Sequence, residues 1–154
     1  MDQIELREVI PGDLPIFYEQ QRDSLANQMA AFPARDRPAF DAHWVKILAD
    51  PSSVIRTIEY AGQVAGNVLS FVMEGKREVG YWLGREYWGK GIATRALRVF
   101  LEQYPTRPLY AHVVQHNQGS IRVLEKCGFE RVGEDRSPFW EGEQEIAEWV
   151  YILE

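Results

Sequence analysis

The most informative segment of the chain is Trp82-Leu83-Gly84-Arg85-Glu86-Tyr87-Trp88-Gly89-Lys90-Gly91-Ile92-Ala93-Thr94. A strand pattern over residues 78–83 runs into a glycine-containing loop and then into a helical pattern that begins at Ile92. The first backbone N–H groups of such a helix have no helical partner and together carry about half a positive charge. Gly89 and Gly91 let a ligand reach the backbone without meeting a Cβ atom. This pattern predicts an anion site, best suited to a pyrophosphate, with Lys90 adding charge at its rim.

Two other interpretations of this loop compete with an anion site. A plain glycine-containing turn that opens a helix stays open, because short glycine motifs recur by chance. A nucleoside-triphosphate loop is suggested by Gly84, Gly89 and Lys90, which fill the first seven positions of G-x-x-x-x-G-K-[ST]. The eighth position is Gly91, so the hydroxyl that would hold magnesium is missing, and the neighbouring Tyr87-Trp88 pair is a poor phosphate cradle. We therefore reject a nucleoside-triphosphate site.

Outward from the loop, the pattern predicts a single domain over residues 1–154 with a mixed α/β sheet. The predicted strands cover residues 4–9, 54–60, 64–73, 78–83, 109–114, 129–133 and 146–153. The predicted helices, about four in number, cover residues 14–20, 38–48, 92–104 and 120–127. Asp13 is placed to cap the first helix, and residues 23–38 form an irregular segment with turns at its prolines.

Composition restricts the class of protein. The chain has 154 residues, a formal net charge of -6 and a pI of about 5.2, which disfavours nucleic acid as a partner because no basic excess is available. The single cysteine, Cys127, cannot form an intrachain disulfide, and no Cys/His cluster predicts a metal site. We expect a cytoplasmic protein with no membrane partner, because no signal-peptide pattern and no apolar run of about 20 residues is present.

A second motif reads His116-Asn117-Gln118-Gly119-Ser120-Ile121-Arg122-Val123-Leu124-Glu125-Lys126-Cys127-Gly128-Phe129. It resembles motif B of the GNAT acetyltransferases, N-x-x-S-x-R-V-L-E-K-x-G-F, at every defined position. The segment Trp88-Gly89-Lys90-Gly91-Ile92-Ala93 resembles motif A of the same family, in the form common in the branch similar to the ribosomal-protein acetyltransferases RimJ and RimL. One predicted strand separates the two motifs, as in the family. The resemblance covers most of the chain and is least specific in the first third.

Each motif B residue also has a purely structural interpretation. Asn117 suits a helix N-cap by type and position, and Ser120 then falls in the first turn. Leu124 and Phe129 are expected in the core, and Cys127 is expected to be a small core residue on the inner helix face rather than an acyl carrier.

The resemblance implies a GNAT-type fold and acetyl-CoA as the acyl donor. The fold has mostly antiparallel N-terminal strands and splayed fourth and fifth strands. The pantetheine and acetyl group would lie on the fourth-strand backbone, the pyrophosphate on the motif A amides, and Asn117 would hydrogen-bond the pantetheine arm. The implied cofactor-binding residues are Trp82, Leu83, Trp88, Gly89, Lys90, Gly91, Ile92, Ala93, Thr94, Asn117 and Ser120.

The implied reaction is direct attack of an amine on the thioester. A general base must take a proton from the amine, and Glu78 at the start of the fourth strand is our candidate. An equally weighted alternative pairs Glu78 with a basic neighbour such as Arg77, or leaves it facing solvent. His112 and His116 flank the fifth strand and titrate in a suitable range, although a structural role is commoner for such histidines.

The general acid that protonates the leaving thiolate is the weaker assignment. Many GNAT enzymes use a motif B tyrosine, but the matching residue here is Leu124. Ser120, or Asn117 with a water molecule, is therefore the candidate near the sulfur.

The acceptor is the least specified part of the prediction. The family lines its acceptor pocket with the segment that is here 23–37, which contains Met29, Phe32 and Pro33, and Phe139 with Trp140 would form the opposite wall. Protein N-termini, amino acids, polyamines and amine antibiotics remain alternatives, as does a non-catalytic acetyl-CoA-binding sensor or interaction module. Analogy with the family also makes the tryptophan-rich ends compatible with a homodimer.

Overall fold

The computed structural model describes residues 3–137 and 146–154. The strands are β1 (Ile4–Arg7), β2 (Val54–Tyr60), β3 (Gln63–Met73), β4 (Lys76–Leu83), β5 (Leu109–Val114), β6 (Glu130–Ser137) and β7 (Ile146–Leu153). The helices are α1 (Leu14–Gln21), α2 (Ser24–Ala30), α3 (Arg37–Ala49), α4 (Ile92–Gln103) and α5 (Gln118–Lys126), with 3₁₀ turns at Pro11–Asp13 and Arg85–Tyr87. Within the described ranges, no helix has the length and apolar character needed to cross a membrane.

The strands form one seven-stranded sheet in the order β1-β2-β3-β4-β5-β7-β6. Neighbouring strands are antiparallel except β4 and β5, which are parallel and paired at one register position, Glu78 opposite Tyr110. Because the pairing goes no further, β4 and β5 separate toward their carboxyl ends. The predicted splay of the fourth and fifth strands in a mostly antiparallel sheet is confirmed.

Helices cover both faces of the sheet. On one face, α4 buries the predicted stripe of Ile92, Ala96, Leu97, Phe100 and Leu101, and α5 adds Ile121 and Leu124 to the same core. On the other face, α1 and α3 bring Phe17, Phe40 and Trp44 into a smaller cluster, with ring centroids 5.1 to 5.8 Å apart. Truncating one of these buried rings to alanine is expected to destabilise the fold by about 3–5 kcal/mol.

The segment predicted as irregular contains a helix, α2, so the part of the chain that the structure describes has five helices where about four were predicted. The Asp23 side chain caps α2 by accepting a hydrogen bond from the Ala26 backbone N–H at 3.0 Å. Asn27 then fixes the helix by donating to the carbonyl oxygens of Gln21 and Phe32. A seven-residue helix whose core contact is the small Ala26 shows almost no apolar periodicity, which explains why the sequence pattern missed it.

The predicted capping role of Asp13 is wrong. Its side chain makes no cap hydrogen bond to α1 and instead lies 2% exposed beneath the sheet edge. There it accepts two hydrogen bonds from Arg7, at 2.8 and 2.9 Å, and one from the Thr57 hydroxyl at 2.7 Å. The first strand ends at Arg7, two residues before the predicted end, and the chain then turns so that the Ile10 N–H also donates to Asp13.

Candidate active site

A groove of about 610 Å³ opens where the carboxyl end of β4 meets the first turns of α4 and α5. It is lined by Ala26, Met29, Ala30, Tyr81, Trp82, Leu83, Tyr87, Trp88, Gly89, Gly91, Ile92, Ala93, Thr94, Asn117, Gln118, Gly119, Ser120, Arg122, Val123 and Lys126. The groove therefore joins both sequence motifs, the end of the splayed strand and the helix α2.

The motif A loop has the backbone that its glycines predict. Gly89 and Gly91 have φ values of 75° and 74°, in the left-handed region that side chains disfavour, and a Cβ atom on either would meet nothing within 4 Å. Gly91 is the N-cap of α4 and supplies no side-chain cap, so the first N–H groups of a 12-residue helix face the groove without a side-chain partner. The open space and the uncapped amides fit an anionic group such as a pyrophosphate.

Ten of the eleven predicted cofactor-binding residues line the groove. The exception is Lys90, which is exposed and lies outside the lining set. Ile92 is 1% exposed because its side chain packs in the core, so it presents backbone to the groove. Trp88 donates its indole N–H to the Leu83 carbonyl oxygen at 3.0 Å, which ties the loop back to the end of β4.

The first turn of α5 carries Asn117 and Ser120. Asn117 is the N-cap and its side-chain oxygen accepts from the Ser120 N–H at 3.2 Å, so its structural interpretation holds while its amide group remains at the groove. The Ser120 hydroxyl lies 2.6 Å from the hydroxyl of Tyr81 on β4. Burial raises the pKa of Tyr81, so this phenol stays protonated at neutral pH. No local sequence pattern predicts this role for Tyr81, because nothing near it in the sequence links it to a residue on α5.

Glu78 does not face solvent, and the basic residue that it pairs with is His112 rather than the adjacent Arg77. It is 3% exposed, and its carboxylate accepts a hydrogen bond from His112 Nδ1 at 2.7 Å. The parallel register that pairs Glu78 with Tyr110 places His112, two residues further along β5, where the strands separate. Glu78 shares its face of β4 with Gly80 and Trp82, because side chains alternate along a strand.

Two more carboxylates surround His112 on the same sheet. Asp135 Oδ2 on β6 lies 3.5 Å from His112 Nε2, and Glu148 lies on the intervening strand β7. The hydrogen bond to Glu78 raises the pKa of His112, and the negative charges of Glu78, Glu148 and Asp135 outweigh the opposing effect of burial. Burial raises the pKa of Glu148, and the neighbouring carboxylates Asp135 and Glu78 act in the same direction.

Helix α2 forms the wall beside the splay. His116 Nε2 lies 2.9 Å from the Gln28 carbonyl oxygen. This contact holds α2 against the start of α5. Phe32, after α2, meets the Trp82 ring with centroids 6.3 Å apart, and Trp82 donates its indole N–H to the Gln20 carbonyl oxygen at 3.1 Å. Met29 lines the groove as part of this wall. The predicted opposite wall, Phe139 and Trp140, lies outside the described residues.

Leu124 and Cys127 were predicted to be core residues. Leu124 is 1% exposed in the core. Cys127 is half-buried, packs against the same core, and burial raises the pKa of its thiol, which disfavours the thiolate an acyl carrier needs. Among residues 3–137 and 146–154, no group of three or more histidine, cysteine or acidic residues is arranged to hold a metal ion.

Comparison with known proteins agrees with this arrangement. Residues 3–130 match the family described as acetyltransferase (GNAT) domain. The probable N-acetyltransferase YjcK of Bacillus subtilis is 38% identical over 79 residues, which span 45% of this chain and 43% of that protein. The chain thus spans less than half the length of this curated relative.

Two solved structures show the same fold. Spermidine N-acetyltransferase from Vibrio cholerae, in complex with CoA and spermine, superposes with a TM-score of 0.82 at 18% identity, over 98% of this chain and 95% of that chain. RimL, a ribosomal L7/L12 alpha-N-protein acetyltransferase in complex with coenzyme A, gives a TM-score of 0.80 at 17% identity, over 97% and 93%. With the family match over most of its length, the chain belongs to the GNAT acetyltransferase family.

Proposed function

We propose that this protein transfers the acetyl group of acetyl-CoA to a primary amine by direct attack of the amine on the thioester. The observation that carries the proposal is the groove, where uncapped amides at the start of α4 meet the gap between β4 and β5. The donor supplies an activated acyl carbonyl. The family membership and the fold support this function, and the acceptor amine would be a protein N-terminus, an amino acid or a small amine.

The motif A loop would hold the donor pyrophosphate. The backbone N–H groups of residues 89–94 and the helix dipole of α4 favour a doubly charged anion, and the open space beside Gly89 and Gly91 admits it. The backbone of Trp82 and Leu83 would hold the pantetheine. Because the side-chain oxygen of Asn117 already accepts from Ser120, its contribution is donation by the amide Nδ2.

Proton transfers would be divided between the two sides of the splay. Glu78 would accept a proton from the ammonium, directly or through water, and the amine lone pair then forms the new N–C bond. When the C–S bond breaks, the electron pair goes to sulfur, and Ser120 Oγ would supply the proton that the sulfur needs and regain one from water. Glu78 would pass its first proton to solvent before it accepts the second proton from the new amide nitrogen, which then also goes to solvent. One of these two protons replaces the proton that Ser120 gave to sulfur, so one proton is released per turnover. Each group therefore returns to its starting state.

Titration calorimetry with acetyl-CoA, and magnesium-ATP as the control, tests the donor site. Micromolar binding of acetyl-CoA and none of ATP is expected. In Gly91→Ala the added Cβ would weaken acetyl-CoA binding by roughly tenfold or more, equivalent to about 1.4 kcal/mol. Gly62→Ala is the matched control, because Gly62 has a similar φ of 78°, equally open surroundings and a position in the β2–β3 turn. Equal losses in both variants would assign the effect to backbone strain.

Release of free CoA with a panel of amines tests the transfer itself. Release that depends on both acetyl-CoA and an amine is expected. Tight acetyl-CoA binding with no release for N-terminal peptides, amino acids, polyamines or aminoglycosides would instead favour the non-catalytic sensor.

A further inference from the structure

The pair formed by Glu78 and His112 has a feature that a general base does not require. A carboxylate needs only one free oxygen to accept a proton, and here one Glu78 oxygen is also held by a histidine ring nitrogen at 2.7 Å. Glu78 is 3% exposed, whereas the His112 side chain is 18% exposed. The residue that exchanges protons with solvent more readily is therefore the histidine.

Carboxyl groups on three strands of the sheet, β4, β7 and β6, lie around His112. Glu78 on β4 faces Nδ1, Asp135 on β6 lies 3.5 Å from Nε2, and Glu148 on β7 adds a third carboxyl group. Asp135 is 57% exposed, so the Nε2 side of the ring opens toward water. The two nitrogens thus have different surroundings, one buried against Glu78 and the other near solvent.

The hydrogen bond to Glu78 fixes which proton His112 can lose. An ionised carboxylate only accepts hydrogen bonds, so Nδ1 keeps its proton and the titrating proton is the one on Nε2. Loss of that proton changes the ring from +1 to neutral but leaves the bond to Glu78 in place. A positive charge so close to a buried carboxylate strongly weakens its affinity for a proton, and removing the charge restores that affinity.

From this geometry we propose that His112 is a positioning residue that sets the proton affinity of Glu78, with Asp135 tuning when the change occurs. With the imidazolium, Glu78 is ionised but a weak base. With the neutral ring, the same hydrogen bond orients Glu78, and the carboxylate is a strong base. Two protons move in this scheme. His112 gives its Nε2 proton to water beside Asp135, and Glu78 then takes one proton from the acceptor ammonium. The inference rests on the proposed acetyl transfer and on Glu78 as its base.

The test is the pH profile of kcat/KM between pH 5.5 and 10, measured by CoA release with two accepted amines of different pKa. A sloping limb of the pH profile that shifts with the pKa of the amine reports ionisation of the substrate. A limb at the same pH for both amines reports ionisation of a group on the protein. The expected common limb rises with pH by about tenfold per unit below the His112 pKa. Asp135→Asn should shift this limb to lower pH, because it removes a negative charge that favours the imidazolium.

Two variants make the test specific. Glu134→Gln removes a charge from the adjacent β6 residue, whose side chain points to the other face, and should leave the limb in place. His112→Asn keeps a neutral N–H donor near Glu78 and should abolish the limb while retaining activity at high pH. A limb unmoved in both Asp135→Asn and His112→Asn would overturn the inference but leave acetyl transfer intact. Failure of the wild-type protein to release CoA with any amine would count against the proposed function itself.

Discussion

The hydroxyl of Tyr81 on β4 lies 2.6 Å from the Ser120 hydroxyl on α5, and both side chains line the groove. Ser120 can use this bond as an acceptor, which leaves its own O–H free to point at the donor sulfur. Burial raises the pKa of Tyr81, so the phenol keeps its proton and can donate it in the hydrogen bond to Ser120. In the proposed mechanism this bond orients Ser120.

Ser120→Ala is expected to lower kcat by about 10- to 100-fold, at the low end of acid catalysis because a thiolate leaves readily. Acetyl-CoA affinity should change little. The loss of kcat in Tyr81→Phe should be smaller. The kcat of the double variant should equal that of Ser120→Ala, because Tyr81 acts only through Ser120. Steady-state kinetics and calorimetry check this. Parallel losses of kcat and of acetyl-CoA affinity in Ser120→Ala would mark Ser120 as structural.

Glu78→Gln should lower kcat by about 100-fold or more and remove the high-pH plateau, since the amide cannot take a proton. Acetyl-CoA binding should be unaffected, because Glu78 is not among the residues that line the groove. Initial rates across pH, with calorimetry on the same samples, provide the measurement. Turnover equal to the wild type would eliminate Glu78 as the base.

Gly80 lies between Glu78 and Trp82 on one face of β4, where the acceptor amine would reach the base. A Cβ atom there would meet only Phe71 Cε1 at 3.8 Å, and φ is not positive, so neither packing nor backbone requires glycine. Gly66 differs, because its Cβ would lie 2.0 Å from the Trp82 carbonyl oxygen.

Gly80→Ala should therefore fold normally but raise the acceptor KM several-fold, with little change in acetyl-CoA affinity. Gly133→Ala, in open space on β6, is the matched strand control. Steady-state kinetics with the accepted amine, alongside a thermal melt of each variant, separate the two effects. An unchanged acceptor KM would place the amine elsewhere.

The ion pair of Arg7 with Asp13 is a partly buried electrostatic interaction outside the groove. Burial acts to raise the pKa of Asp13, but hydrogen bonds from Arg7, Ile10 and Thr57 outweigh it and hold this pKa below its ordinary value. Because the pKa is lowered in the folded state, the stabilisation is present above the unfolded value of about 3.9 and is lost as pH falls through the folded value.

Asp13→Asn should lower the free energy of unfolding by about 3 kcal/mol at pH 7, since it removes the buried carboxylate that accepts from Arg7, Ile10 and Thr57. The exposed Arg37–Asp41 pair is the control, and Asp41→Asn should change stability by only about 0.3–0.5 kcal/mol. Urea unfolding of both variants at pH 7 and pH 4 measures the difference. Similar losses for the two variants would show that burial adds nothing to the Asp13 pair.

The sequence predicted the motif A loop because the information there is local. Glycine at positions 89 and 91, followed at once by the amphipathic α4, specifies both the backbone and the uncapped helix start within a few residues. The same holds for the Asn117 cap of α5. The family and the splayed strands followed from recognising these two motifs together.

The contacts that no sequence pattern predicts join residues far apart in the chain. Glu78 meets His112 across 34 positions, Tyr81 meets Ser120 across 39, and Asp13 meets Thr57 across 44. No periodicity records such contacts, so the buried pair and the orienting phenol emerged only from the structure. The homodimer, the cytoplasmic location and the roles of Phe139 and Trp140 stay predictions.

Because β4 and β5 pair at a single position, backbone hydrogen bonding across the sheet is weakest between these two strands. Strands β1 to β4 form one half, and β5, β7 and β6 form the other, with α4 and α5 bridging the seam. A donor in the groove would touch Trp82 and Leu83 from the first half and Asn117 and Ser120 from the second, and so would act as a removable crosslink. We therefore expect a bound donor to reduce the motion of the two halves of the sheet relative to one another.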